Sequence, residues 1–124
     1  MPSREIVLVE DDSGLRAALG KVLAAAGFPV APFSSAEALL EAGGAGAACF
    51  VLDIRLPGMT GLELWRVLLG RGVTAPVLFM TAYDDPSVRE EAERLGAAFY
   101  LLKPFRGVEL VEAVTEAIGV GAAS

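Results

Sequence analysis

The chain has 124 residues and a formal net charge of −6, from 10 lysines and arginines against 16 aspartates and glutamates. This length fits one domain, and the acidic balance argues against unaided binding to nucleic acid or to an anionic membrane surface. The sequence has no histidine and one cysteine, which excludes a histidine base, a histidine metal ligand and an intrachain disulfide. No apolar run approaches the roughly 20 residues that span a bilayer, so we expect a cytoplasmic protein.

The first part of the chain alternates short apolar segments with helical patterns. Residues 6–9 predict a buried strand, and apolar residues at helical spacing then predict a helix that stops at Gly27. Residues 29–33 predict a second strand, and Pro32 places this strand at an edge of the sheet. The sequence Ser-Ser-Ala-Glu at 34–37 matches a capping box and predicts a short helix.

The remainder continues this alternation. Residues 48–52, 76–80 and 98–102 predict three further strands. Residues 60–63 match another capping box, which opens a helix after the third strand. Asp85, followed by proline, predicts the cap of a helix between the fourth and fifth strands. Strict alternation of five strand–helix units indicates an α/β fold with a parallel sheet covered on both faces.

No internal repeat or linker interrupts this pattern, so residues 1–124 are predicted to form a single domain. Right-handed crossovers restrict the sheet to a few doubly wound arrangements. A last helix follows the fifth strand, and we expect residues 119–124 to form a frayed tail.

Reactive side chains follow four of the predicted strands. The first strand ends in the acidic residues 10–12, the third in Asp53, the fourth in Thr81 and the fifth in Lys103. In open α/β sheets, ligands bind at the carboxyl ends of the strands. Grouped carboxylates need a hard cation such as Mg²⁺, beside which Asp53 can attack phosphorus. Lys103 and the cation would offset the charge of the transferring oxygens, and Thr81 would donate a hydrogen bond to them.

Four stretches, taken together and in this order, resemble the receiver domains of two-component response regulators. They are residues 9–12 (Val-Glu-Asp-Asp), 52–61 (Leu-Asp-Ile-Arg-Leu-Pro-Gly-Met-Thr-Gly), 80–82 (Met-Thr-Ala) and 103–105 (Lys-Pro-Phe). The resemblance implies a flavodoxin-like (βα)5 fold with strand order 2-1-3-4-5. It also implies a signalling switch that catalyses only its own phosphorylation and dephosphorylation.

The resemblance implies a metal site and a phosphoacceptor. Asp53 would accept the phosphoryl group. Asp11 and Asp53 would bind Mg²⁺, with Mn²⁺ as an alternative, together with Glu10 through water and the backbone carbonyl of Arg55.

The resemblance also implies the residues that respond to phosphorylation. Thr81 would be the switch hydroxyl, Lys103 the phosphate-binding ammonium and Tyr100 the aromatic residue that changes position. The Lys103–Pro104 bond is expected to be cis by the same likeness. Arg55 and Tyr83, two residues beyond Asp53 and Thr81, suggest the hypothesis that they shield the acyl phosphate from water.

The partners follow from the same resemblance. Because this chain lacks histidine, the phosphoryl group would come from a sensor histidine kinase, a phosphotransfer protein or a small donor. The switch would control an output domain or a downstream protein, and a phosphorylation-dependent homodimer is left open. Residues 33–36 and 59–64 are most similar to regulators of the nitrogen-fixation and nodulation type, which implies a part in transcription regulation without direct nucleic-acid binding by this chain.

Two other functions fit these residues less well. A Mg²⁺-dependent phosphohydrolase with an aspartyl-phosphate intermediate would carry a second aspartate two residues after the first-strand nucleophile, where this chain has Ser13 after Asp11. A dinucleotide-binding half-domain would need a glycine-rich turn in place of residues 10–12. Taken singly, Asp11 and Asp12 could simply cap the first helix, and Lys103 could be an ordinary exposed lysine. We expect Asp12 or Ser13 to be the cap, which leaves Asp11 for the metal.

Overall fold

The computed structural model describes residues 4–44 and 46–123, in which five strands alternate with five helices. The strands are β1 (Ile6–Val9), β2 (Val30–Phe33), β3 (Cys49–Asp53), β4 (Val77–Thr81) and β5 (Phe99–Leu102). The helices are α1 (Ser13–Ala25), α2 (Ala36–Ala42), α3 (Gly61–Gly70), α4 (Pro86–Arg94) and α5 (Gly107–Ala123). The predicted α/β fold is therefore confirmed. Most strand boundaries lie one residue away from their predicted positions.

The strands form one parallel sheet in the order β2-β1-β3-β4-β5. This is the doubly wound, flavodoxin-like order that the resemblance implied. β2 lies at an edge, as expected for a strand that contains Pro32, which has no amide hydrogen to donate. The chain leaves β1 toward β2 and returns on the other side to β3, so the strand order reverses between β1 and β3. A crevice at the carboxyl ends of these two strands is the expected ligand position.

Apolar side chains fill the space on both faces of the sheet. All residues of β1, β3 and β4 are buried, which explains why these strands read as continuous apolar runs. Alternate residues enter two clusters, one with α2, α3 and α4 and the other with α1 and α5. Trp65 of α3 belongs to the first cluster, where its ring centroid lies 5.6 Å from that of Phe50. Its indole Nε1 donates a hydrogen bond to the Leu95 carbonyl at 3.1 Å, linking α3 to the end of α4.

Three of the predicted helix starts are confirmed by their caps. Asp12 accepts a hydrogen bond from the Leu15 amide at 2.9 Å and caps α1. Thr60 and Glu63 make both bonds of a capping box on α3. Asp85 caps α4, with proline at its first position.

The capping box predicted for α2 is wrong. Ser35, not Ser34, is the N-cap, and it accepts a hydrogen bond from the Ala38 amide at 3.1 Å. Glu37 is then the second residue of the helix, one position too early for a capping-box glutamate. Its carboxylate instead accepts a hydrogen bond from the Met59 amide at 3.2 Å, tying α2 to the loop after β3.

The last helix extends past the point where we expected it to fray. α5 is helical to Ala123, so the fraying of residues 119–123 in solution stays a prediction, and Ser124 lies outside the described residues. Among the helices of residues 4–44 and 46–123, none is long and apolar enough to cross a bilayer.

Candidate functional site

Three carboxylates meet at the carboxyl ends of β1 and β3. Asp53 is the last residue of β3, Glu10 follows β1 directly, and Asp11 comes next. One carboxylate oxygen from each of the three lies within 4.8 Å of the others. Glu10 and Asp53 are buried, whereas Asp11 is exposed. The fold therefore brings together the three acidic residues that the sequence analysis selected.

Lys103 joins this cluster from the loop after β5. Its Nζ donates hydrogen bonds of 2.6 Å to Glu10 Oε1 and 2.6 Å to Asp53 Oδ2. Its backbone amide donates to the Thr81 carbonyl at 2.8 Å, which fixes the loop against the end of β4. The Lys103–Pro104 bond is cis, as the resemblance implied.

Burial and hydrogen bonding have opposite effects on the pKa values of Lys103 and Glu10. Burial by itself would lower the pKa of Lys103, but its hydrogen bonds to Asp53 and Glu10 raise that pKa above the ordinary lysine value. The ammonium is therefore charged at neutral pH, and its contribution to stability is lost only as the pH rises through the folded value. Burial raises the pKa of Glu10 despite the bond from Lys103, and the charge of Asp53 adds to this effect.

A hard divalent cation fits this environment. The three carboxylates have a formal charge of −3 when ionised, and the single ammonium offsets only one of these charges. The available donors are oxygens, and Mg²⁺ binds one or two carboxylates together with water and phosphate oxygens. The donor set therefore suits Mg²⁺ better than a metal that prefers nitrogen or sulfur.

The backbone after β3 holds the Asp53 carboxylate in place. The Arg55 amide donates to Asp53 Oδ1 at 2.9 Å, and the Gly61 amide donates to the Ile54 carbonyl at 3.0 Å. A Cβ atom at Gly61 would lie 2.3 Å from the Asp53 carbonyl oxygen, so only glycine permits this approach. Ligation of a metal by the Arg55 carbonyl stays a prediction.

Sequence reasoning missed two supports of the site. It explained residues 60–63 as a capping box and gave Gly61 no separate role, although glycine, a poor helix former, between two capping residues was a signal. It also gave no role to Arg16, whose guanidinium donates to the Glu10 carbonyl at 2.8 Å and to the Asp11 carbonyl at 3.4 Å. Arg16 thereby fixes the loop that presents the two acids.

Thr81 lies at the end of β4, one residue beyond Met80, the partner of Asp53 in the sheet register. It is buried, and its Oγ1 accepts a hydrogen bond from the Tyr83 amide at 3.2 Å. Tyr83 is exposed, and the centroid of its ring lies 4.1 Å from the guanidinium carbon of Arg55. This cation–π pair bridges the loops that follow β3 and β4.

Tyr100 is the second residue of β5. It is the register partner of Phe79 of β4, and it packs against the apolar cluster on the side of α2, α3 and α4. Its part in a switch is a prediction at this stage.

A family model described as the response regulator receiver domain matches residues 6–115. The chain belongs to this family. The receiver domain identified from residues 9–12, 52–61, 80–82 and 103–105 is therefore confirmed.

Curated relatives share this receiver domain. The transcriptional regulatory protein FixJ of Azorhizobium caulinodans is 37% identical over 118 residues, which cover 94% of this chain and 56% of that protein. Nodulation protein W of Bradyrhizobium diazoefficiens is 35% identical over 113 residues, covering 90% of this chain and 50% of that protein. The chain thus spans about half the length of these relatives, and the predicted likeness to nitrogen-fixation and nodulation regulators is confirmed.

Solved receiver structures have the same fold. FixJ-N superposes with a TM-score of 0.84 at 30% identity, covering 96% of each chain. The BeF3-activated DrrB receiver domain superposes with a TM-score of 0.85 at 26% identity, covering 94% of this chain and 98% of that one.

Proposed function

We propose that this receiver accepts a phosphoryl group on Asp53 in a Mg²⁺-dependent reaction and then changes conformation. The observation that carries the proposal is the setting of the Asp53 carboxylate. One of its oxygens is held by the Lys103 ammonium and the other by the Arg55 amide, beside two further acids. This setting fixes a nucleophile next to a place for a cation.

The chemistry follows from these groups. An Asp53 oxygen forms a bond to phosphorus as the P–N bond of a phosphohistidine donor breaks, and the imidazole nitrogen keeps the electron pair of that bond. Lys103 can turn its N–H groups from the carboxylates to the phosphoryl oxygens, and the Thr81 hydroxyl can donate its proton there. Asp11, Asp53 and the Arg55 carbonyl, with Glu10 through water, would hold Mg²⁺, whose charge would offset negative charge on the transferring group.

The product of this reaction is a change in conformational populations. Phosphorylation shifts a two-state equilibrium by stabilising one state more than the other. The donor is proposed to be a sensor histidine kinase or a phosphotransfer protein, and the target an output domain or a downstream protein in the cytoplasm. A phosphohydrolase is less well supported, because Ser13 begins α1 where that reaction would need a second acid.

Intact mass spectrometry tests the proposal. Incubated with acetyl phosphate and Mg²⁺, the wild-type chain is expected to gain one phosphoryl group, whereas Asp53→Asn is expected to gain none. Chelation of Mg²⁺ by EDTA should abolish the gain in the wild type.

The matched control is Asp12→Asn, since Asp12 is a neighbouring acid whose side chain caps α1 and asparagine also caps helices well. This variant should be phosphorylated like the wild type. Uptake by Asp53→Asn, or its loss in Asp12→Asn alone, would show that another residue accepts the group.

The Arg55–Tyr83 pair is expected to prolong the lifetime of the phosphorylated state. It bridges two loops next to Asp53 and so restricts the approach of water. Arg55→Ala with Tyr83→Ala should accelerate dephosphorylation about fivefold, as expected for the loss of a cation–π contact of ~1 kcal/mol. The decay of the phosphorylated mass after removal of acetyl phosphate measures this rate, and an unchanged rate would contradict the shielding hypothesis.

A further inference from the structure

Tyr100 of β5 holds its hydroxyl where it has no hydrogen-bond partner among the described residues. The hydroxyl oxygen is buried, while the ring packs against the apolar cluster that includes Phe79 and Ala92. A buried hydroxyl without a partner is unfavourable, and burial also raises the pKa of this group. Some other interaction must therefore favour this position of the ring.

Arg89 of α4 supplies such an interaction. Its guanidinium carbon lies 4.6 Å from the centroid of the Tyr100 ring, within the range of cation–π attraction. Its Nη2 also lies 3.4 Å from Asp84 Oδ1. The cation is thus held between a carboxylate and the face of the ring, and its charge opposes the effect of burial on the Tyr100 pKa.

Asp84 connects this contact with the phosphoacceptor site. It lies in the loop between β4 and α4, three residues after Thr81 and next to Tyr83. The Tyr83 amide donates to Thr81 Oγ1, so rotation of this hydroxyl toward a phosphoryl group on Asp53 would break a bond that orders the loop. Asp84 belongs to this loop and is one of the two groups that contact the Arg89 guanidinium, so a displacement of the loop would weaken the hold on Arg89.

We propose that Arg89 is a positioning residue for Tyr100: anchored on Asp84, its guanidinium holds the ring with the hydroxyl buried and couples the ring to the loop that carries Thr81. The importance of this coupling for signalling rests on the proposed function. The position of the ring, however, is a property of the unphosphorylated protein. It can be tested without any reaction at Asp53.

The test uses the two tyrosines of the chain, Tyr83 and Tyr100. In a Tyr83→Phe background labelled with 3-fluorotyrosine, the single ¹⁹F resonance belongs to Tyr100. A soluble gadolinium chelate then reports the exposure of the ring through paramagnetic relaxation. Arg89→Met should lower the ratio of buried to exposed rings by about two- to fivefold, the effect of losing one cation–π contact at a partly exposed site.

Three further variants separate positioning from a merely structural effect. Arg89→Lys keeps the cation and should restore most of the wild-type relaxation, and Asp84→Asn should shift the ratio in the same direction as Arg89→Met but less. Arg94→Met is the matched control, because Arg94 is exposed on the last turn of α4, and it should leave the signal unchanged. Equal signals from Arg89→Met and Arg94→Met, or equal shifts in Arg89→Met and Arg89→Lys, would overturn the proposal. Phosphorylation of Asp53 is measured separately by mass, so neither outcome of the NMR experiment decides whether the proposed function is correct.

Discussion

Replacing Lys103 by methionine is expected to lower the free energy of unfolding by about 3 kcal/mol when Mg²⁺ is absent, the usual cost of removing one partner of a buried ion pair. Lys103 bonds to Glu10 and Asp53, both of which are buried. Without the ammonium, these carboxylates remain desolvated and repel each other. Urea unfolding in EDTA measures the change, and saturating Mg²⁺ should recover part of it because a cation can replace the lost charge.

The pH dependence of this variant provides a second signature. Burial already raises the pKa of Glu10, and loss of Lys103 removes a group that lowers it. The folded variant therefore binds a proton at a higher pH than the unfolded chain does, so its stability should rise as the pH falls through the raised pKa of Glu10 toward the ordinary glutamate value. Lys21→Met is the control, since Lys21 is the other lysine and is exposed on α1. Equal stability of the two variants in EDTA would contradict a stabilising role for the Lys103 bonds.

Replacing Gly61 by alanine is expected to impair both folding and phosphorylation. The added Cβ would lie 2.3 Å from the Asp53 carbonyl oxygen and 3.0 Å from the Ile54 Cα, so the backbone at the phosphoacceptor must move. The stability loss should be about 2–3 kcal/mol, in the range of overpacked cores. Phosphorylation by acetyl phosphate should be slowed roughly tenfold, because a displacement of about 1 Å at a reacting group can cost as much as ~100-fold.

Gly70→Ala is the control within the same helix. A Cβ at Gly70, the last residue of α3, would meet no atom within 4 Å. Alanine should therefore raise stability by about 0.5–1 kcal/mol by reducing the entropy of the unfolded chain. If Gly61→Ala were as stable and as readily phosphorylated as Gly70→Ala, the close approach of Gly61 to the Asp53 backbone would be required neither for stability nor for phosphorylation.

Sequence patterns located the acids of the candidate site but not the bonds that join them. Glu10, Asp11 and Asp53 were selected because each follows an apolar strand, and in a parallel sheet such positions share one edge. The bridging of Glu10 and Asp53 by Lys103 was not predicted, because a lysine at a strand end is ordinarily exposed. Whether one ammonium can reach both carboxylates depends on the relative positions of β1, β3 and β5, which carry Glu10, Asp53 and Lys103 at their ends.

The failure at α2 has a related cause. Ser34 and Glu37 have capping-box spacing, but Ser35 offers an equally good cap one residue later, and local sequence does not choose between them. The choice agrees with the bond from the Met59 amide to the Glu37 carboxylate. That bond joins residues 22 positions apart and depends on how α2 packs beside the loop after β3.

The sequence by itself determined the alternation of strands and helices, the edge position of β2 and the reactive groups at the strand ends. These features depend on periodicity and on residue type, which act over a few neighbouring residues. The tertiary structure decided which groups touch: Lys103 lies 93 residues from Glu10 and 50 from Asp53, and Gly61 approaches the Asp53 backbone across a turn. Such contacts depend on strand order and on packing to within about an ångström, because side-chain hydrogen bonds and steric repulsion vanish or appear over that distance.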